Sequence, residues 1–226
     1  MLLELYEKII NIIVRPLHKA VTKVKIEFSC PFCRNSAHEV LYHYETYAGP
    51  VLTETSVTLV MCIFCTFVYN GPRPEQAGIN KHYEVSSSGA VFHESYSGSR
   101  HSKLDDERSS FIEKHSNVFV KAKFIDVGCG QGSLVRKLHL PNLQKFGLDP
   151  IQDPSINIDD SVTFINGFIE TYDVAADEKY ELLSCISSLE HYYSPDVVLA
   201  KFKNMLSPDG ILILEVPDSL SPKSQL

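Results

Sequence analysis

An α/β fold, in which a sheet carries a ligand-binding turn and a small cysteine-bearing β module precedes it, is expected from three observations. Phe124-Ile-Asp-Val127 is a short apolar run that leads into Gly128, Gly130 and Gly132, and then into the helical spacing of Leu134, Val135 and Leu138. Cys30/Cys33 and Cys62/Cys65 form two Cys-x-x-Cys pairs. The length of 226 residues, with 44% hydrophobic content, admits one full domain and one small one.

The run from Phe124 to Val127 is of the kind that makes a buried parallel strand. The alternate glycines after it let the backbone turn sharply and let a ligand approach without Cβ interference. A dinucleotide fingerprint, G-x-G-x-x-G, would ask for glycine where this chain has Ser133, and it aims helix-end amides at a pyrophosphate. Here Asp126 stands just before the glycines. The pattern D-x-G-x-G-x-G suits a ligand without phosphate and with a positive charge.

These residues resemble the first motif of class I S-adenosylmethionine (SAM)-dependent methyltransferases, and the order of the downstream segments agrees over roughly residues 119–219. Lys145 to Asp149 looks like the second strand, ending in an acid seventeen residues past Gly132. The resemblance implies that Asp149 accepts hydrogen bonds from both ribose hydroxyls. Val162 to Phe168 resembles the third strand and the turn that borders the adenine, with Phe168 beside the base. Tyr180 to Ser187 looks like the fourth strand, followed by Leu189-Glu-His191. Val197 to Leu206 is an amphipathic helix with Pro195 near its start, and Ser207-Pro-Asp-Gly210 is a turn signal. Ile211 to Val216 looks like the fifth strand. The implied architecture is a Rossmann-like sheet in the order 3-2-1-4-5. The implied cofactor residues are Asp126, Gly128, Cys129, Gly130, Gly132, Asp149 and Phe168, with Asp126 near the positive methionine end of SAM.

A Cys-x-x-Cys knuckle points two thiolates at one centre, and two knuckles complete a tetrahedral four-sulfur Zn²⁺ site. The twenty-eight residues between Cys33 and Cys62 can hold a hairpin, since His38 to His43 and Ser56 to Val60 are strand-like. Four sulfurs leave no open coordination position, so Cys30, Cys33, Cys62 and Cys65 are expected to hold a structural zinc in a zinc-ribbon-like module. Redox pairing is the alternative, without a thioredoxin-like context to support it. His38 and His43 lie between the pairs and are spare ligand candidates; Cys129 and Cys185 are read as packing residues rather than nucleophiles.

The cysteine module, then Gly71-Pro-Arg-Pro74, then His82-Tyr83 and the class I domain, is together similar to zinc-ribbon methyltransferases, several of which act in polysaccharide or nucleotide-sugar metabolism. Tyr83 to Ser88 and His93 loosely echo the nucleotide-sugar C-methyltransferases. The resemblance implies a small-molecule acceptor, a sugar nucleotide or polysaccharide precursor. A net charge of −7 argues against nucleic acid as the main partner.

The expected organisation is an N-terminal helix over 1–25, the zinc module over 26–75, a connector over 76–118 and the SAM-binding domain over 119–226. Ile9, Ile10, Ile13, Val14 and Leu17 share a helical stripe that would pack on the domain or on a second subunit. Glu4, Glu7, Lys8 and Arg15 interrupt any signal-like run and no membrane span is evident, so a cytoplasmic location is expected. In the connector, Ser86 to Gly89 and Ser95 to Ser99 read as flexible and Asp105 to His115 as helical. Its aromatics Tyr83, Phe92 and Tyr96 fit a lid and a plain linker equally.

Class I methyltransferases normally add an antiparallel edge hairpin after the fifth strand, whereas this chain ends about ten residues past it. The sheet is therefore expected to be short, with an open strand-five edge available for self-association. The stretch from Asp149 to Ser161 is also short and rich in Pro and Asp where a full helix is usual. The sequence admits two readings. In the first the chain is an active SAM-dependent methyltransferase, with His191 as candidate base and Tyr192 and Tyr193 either beside the acceptor or packing, although Leu189-Glu-His191 also suits a purely pocket-shaping role. In the second it is a catalytically inactive fragment or scaffold that retains zinc and SAM binding.

Overall fold

The computed structural model describes residues 28–48, 52–72, 75–87, 99–116, 122–151, 161–175 and 177–217. The expected N-terminal helix, most of the Pro- and Asp-rich stretch, and Phe92, His93 and Tyr96 lie outside them. The chain divides into two compact units, 1–75 and 76–226.

In the first unit β1 (His38–Ala48), β2 (Leu52–Cys62) and β3 (Val68–Gly71) form an antiparallel sheet in that order. The hairpin fills the spacer between the cysteine pairs, and its strands are longer than the strand-like residues alone suggested. The register explains why: His38 pairs with Cys62, so β2 runs directly into the second knuckle. The short β3 was not expected; four residues, Val68-Tyr-Asn-Gly71, carry too little periodicity to stand out. Cys30, Val60, Cys62 and Tyr69 form its buried core.

The second unit opens with α1 (Gln76–Ser87) and α2 (Ser99–Ser116), followed by β4 (Ala122–Val127), α3 (Ser133–Lys137), β5 (Leu143–Asp149) and β6 (Val162–Asn166). Then come β7 (Tyr180–Ile186), a 3₁₀ turn (Leu189–His191), α4 (Pro195–Met205) and β8 (Leu206–Glu215). The five strands are parallel and ordered β6-β5-β4-β7-β8, which is the expected 3-2-1-4-5. One face packs Phe124 and Leu182 against Ile112 of α2 and Leu134, Val135 and Leu138 around α3. The other packs Ile125, Val127, Leu183 and Cys185 against Val198, Phe202 and Met205 of α4. Such double-sided burial is what the near-continuous apolar strands require.

Three local expectations change. Ser86 and Ser87, read as flexible, end α1, and α2 begins at Ser99, ahead of the helical signal at Asp105. Ser207 to Gly210 do not separate a helix from a strand. Leu206 already pairs with Tyr180, and Ile211 resumes pairing at Leu182, so the Ser-Pro-Asp-Gly signal is a bulge inside β8.

Candidate cofactor site and metal centre

Strand parity decides where Asp126 points. It shares a face with Phe124, toward α2 and α3, and the β4–β7 register sets it opposite Ser184. Ser184 Oγ donates to Asp126 Oδ1 at 2.5 Å. Asp126 is 3% exposed. Burial pushes its carboxyl up to about 7; the Ser184 hydroxyl opposes the rise, and Asp149 and Asp105 add to it.

The turn after β4 is built on left-handed backbone at Gly128, Gly130 and Gly132, with φ of 77°, 53° and 71°. Gly128 N donates to Leu148 O at 2.8 Å, which carries the turn over the end of β5. Gly130 N donates to Asp149 Oδ2 and Ile151 N to Asp149 Oδ1, both at 2.8 Å. Asp149 therefore shapes the turn through its own side chain. Burial raises the Asp149 carboxyl and the two amides lower it. Each oxygen has further lone-pair capacity for an incoming hydroxyl. A Cβ at Gly130 would meet nothing within 4 Å, so the turn is open on that side. The structure brings Asp126, Gly128, Cys129, Gly130, Gly132 and Asp149 together at the carboxyl ends of β4 and β5. Phe168 lies just beyond β6, its carbonyl accepting from the amides of Thr171 and Tyr172. Phe164 was missed: its ring fills the side-chain space of Gly132, 2.3 Å from where a Cβ would sit.

Beyond β7 the chain folds back toward the turn. Ser188 Oγ lies 2.7 Å from Tyr192 Oη, and both press on Gly128. Tyr192, read from the sequence as either lining an acceptor pocket or packing, packs against the α4-side core. His191 keeps 55% of its side chain exposed and stands 3.8 Å from Glu190. Tyr83 of α1 meets its ring edge-on, with centroids 6.2 Å apart. Gln76, at the start of α1, donates to Glu170 Oε1 at 3.4 Å. This part of the connector is therefore a helix seated on its own unit.

Arg108 was also missed. Its Nε donates to Glu215 Oε2 at 3.0 Å, its Nη1 to Asp105 Oδ1 at 2.9 Å, and its Nη2 to Glu215 Oε1. The guanidinium holds the Glu215 carboxyl below its ordinary value. No motif flags one arginine in a polar helix; only the fold sets it against β8.

In the first unit the Sγ atoms of Cys30, Cys33, Cys62 and Cys65 all lie within 4.8 Å of one another. Cys30–Cys65 and Cys33–Cys62 are 3.6 and 3.5 Å apart. A tetrahedron with Zn–S bonds of about 2.3 Å has edges of about 3.8 Å, so the donors fit zinc in number, chemistry and spacing. The two knuckles share one geometry. Arg34 N donates to Cys30 O at 2.9 Å and Thr66 N to Cys62 O at 2.8 Å, and Arg34 and Thr66 have φ of 64° and 61°. The spare histidines are engaged elsewhere, His43 with Thr58 and His38 with Tyr69.

A family model described as a methyltransferase domain matches residues 96–226, a stretch that takes in α2 as well as the sheet. The ubiquinone biosynthesis O-methyltransferase of Actinobacillus pleuropneumoniae (serotype 5b, strain L20) is 28% identical over 120 residues, 48% of this chain and 51% of that protein. The protein of the same name from Pasteurella multocida (strain Pm70) is 27% identical over 126 residues, 49% of this chain and 52% of its own. The chain spans about half the length of the curated relatives it matches. Among solved structures, coclaurine N-methyltransferase bound to N-methylheliamine and SAH (S-adenosylhomocysteine) is 20% identical, with a TM-score of 0.41 over 49% of this chain and 35% of that one. The plantazolicin methyltransferase BpumL with SAH is 17% identical, with a TM-score of 0.41 over 63% and 53%.

Proposed function

Since the chain belongs to the methyltransferase domain family, we propose that its second unit is a SAM-dependent methyltransferase acting on a hydroxyl group of a small molecule. The observation that carries this is the Gly130–Asp149 hydrogen bond, which joins the turn after β4 to the acid ending β5 beside an open glycine face. An acid with spare acceptor capacity suits a ribose. Asp126, buried next to the same turn, suits a positive charge.

When bound, SAM supplies a methyl group on a sulfonium that is already a good leaving group. This chain's residues are then left with positioning, which is where most of the rate would come from. Asp149 orients the ribose end, Gly130 admits it, and Phe168 borders the adenine. His191 takes the acceptor's hydroxyl proton; its ring is exposed at the end of β7 and held on one edge by Tyr83. The O-methyltransferase names of the relatives favour a hydroxyl acceptor, and the sugar-nucleotide class is the second arm of a substrate screen. Four thiolates on one Zn²⁺ would hold the first unit folded, and such thiols suit a reducing, cytoplasmic setting. Among the described residues no helix is long and apolar enough to cross a membrane. Self-association would use the outer edge of β8 or residues 1–25.

The test is calorimetric titration of zinc-quantified protein with SAM, beside Asp149→Ala. Saturable binding that Asp149→Ala weakens by more than about tenfold, on the order of 1.4 kcal/mol, is expected. A folded, zinc-loaded chain that does not bind SAM would leave the scaffold reading in its place.

A further inference from the structure

Phe168 opens a single helical turn that goes no further. Its carbonyl accepts from Thr171 N at 3.1 Å and from Tyr172 N at 2.9 Å. A turn that stops leaves its later carbonyls without the amide donors that a longer helix would bring. One side chain of α4 meets them. Lys201 Nζ donates to Ile169 O at 2.9 Å, to Glu170 O at 2.7 Å and to Tyr172 O at 3.0 Å. An ammonium has three protons and no acceptor, so these three bonds spend it fully. The partners are peptide dipoles rather than a carboxylate: the Glu170 side chain accepts from Gln76 of α1 instead.

The place of Lys201 on its helix is equally specific. Val198, Phe202 and Met205 are the buried stripe of α4, and Lys201 takes the remaining i+3 position of that stripe. Leu or Met would serve packing there as well. Ile169 of the turn is buried in the same core cluster as Val198 and Phe202. Side-chain packing thus seats the turn on α4, while three carbonyls converging on one nitrogen fix the orientation of its peptide planes. From the other side Gly167 N donates to Asp149 O at 3.2 Å. Phe168 stands between these two ties, one to the backbone of the acid that ends β5 and one to α4.

We propose that Lys201 is a positioning residue for the adenine of the cofactor, which fixes the turn bearing Phe168 relative to Asp149. Its protons are spent on backbone, so it acts through Phe168. The assignment rests on the methyltransferase reading of the second unit, with Phe168 beside the base.

Lys201→Met keeps a long side chain and removes the ammonium; Phe168→Ala removes the ring. SAH is titrated by calorimetry into the full zinc-loaded chain, each single variant and the double variant, with circular-dichroism melts to establish folding. Each single variant should weaken SAH binding by about five- to tenfold. The double variant should bind no more than about twofold more weakly than Phe168→Ala alone, because the ring through which Lys201 acts is already gone. A lower melting midpoint with unchanged SAH affinity in Lys201→Met is what a merely structural lysine would give. That result, or losses that add in full, overturns the role of Lys201 alone. Wild-type protein that does not bind SAH overturns the methyltransferase reading and this role together. Phe168→Ala that binds SAH like wild type overturns the place of Phe168 beside the base, and the route through it. If Lys201→Met does not fold, Lys201→Arg decides by the same cycle, since its planar fork cannot bring one nitrogen to three carbonyls.

Discussion

Asp126 shows how a buried carboxyl sets itself against stability. Its ordinary carboxyl value is 3.8 and burial raises it to about 7. The folded protein therefore keeps a proton that the unfolded chain gives up. That contribution to stability is full below about pH 4 and is lost as the pH rises through about 7. Asp126→Asn still accepts from Ser184 but cannot titrate. It should be more stable than wild type at pH 8 by on the order of 4 kcal/mol, and close to wild type at pH 4. On the proposed role of Asp126 opposite the positive charge of SAM, the variant should bind SAM at least about tenfold more weakly. Urea unfolding at the two pH values and one titration check both halves; an unchanged pH slope would refute the linkage. Asp126 was legible from its place before the glycines, and Asp149 from its place at the end of the next strand-like run. Ser184, Phe164 and Arg108 were not, since their roles arise from strand register and helix docking.

Two elements owe their geometry to single residues. Arg108 ties α2 to the end of β8 through a two-pronged contact with Glu215 and one bond to Asp105. Arg108→Lys keeps the charge but not the fork, and should cost about 1–2 kcal/mol. The lower end is expected because Glu215 is 43% exposed and water screens the pair. Thermal melts of the variant check it, and a wild-type midpoint would show that the fork contributes nothing. In the first unit Thr66 holds a left-handed φ of 61°, an unfavourable choice for a β-branched residue, at an exposed knuckle tip. Thr66→Gly should relieve that strain and stabilise the zinc-loaded unit by about 0.5–1 kcal/mol, even though it gives up the 2.7 Å bond to Cys65 O. Resistance to chelator-induced unfolding is the readout, and a loss would mean that the hydroxyl outweighs the backbone.

The molecule as a whole has two cores with different supports. Among the described residues the first unit has a small apolar core, Cys30, Val60, Cys62 and Tyr69 around its cysteines, which a bound metal would reinforce. The second buries both faces of a five-stranded sheet. Chelation should therefore abolish one calorimetric transition and leave the other within about 2 °C, a shift worth under roughly 1 kcal/mol. SAM at a hundred times its Kd should raise only the second, by about 2.7 kcal/mol. Loss of all calorimetric unfolding on chelation would show that the metal supports both units.

Taken alone, the sequence determined the order of the chemistry: two knuckles, then a glycine turn, then an acid at the end of the next strand. These signals are local, because a Cys-x-x-Cys spacing, a positive φ and an apolar run each act over a few residues. The 3-2-1-4-5 order was legible through resemblance, and the described sheet has it. Only tertiary structure decided that Asp149 binds the turn it serves, that Tyr192 turns inward onto Gly128, that Tyr83 meets His191, and that Arg108 reaches Glu215. Each of these joins groups from different elements or from opposite ends of a loop. Such contacts depend on register and packing, which no local pattern encodes.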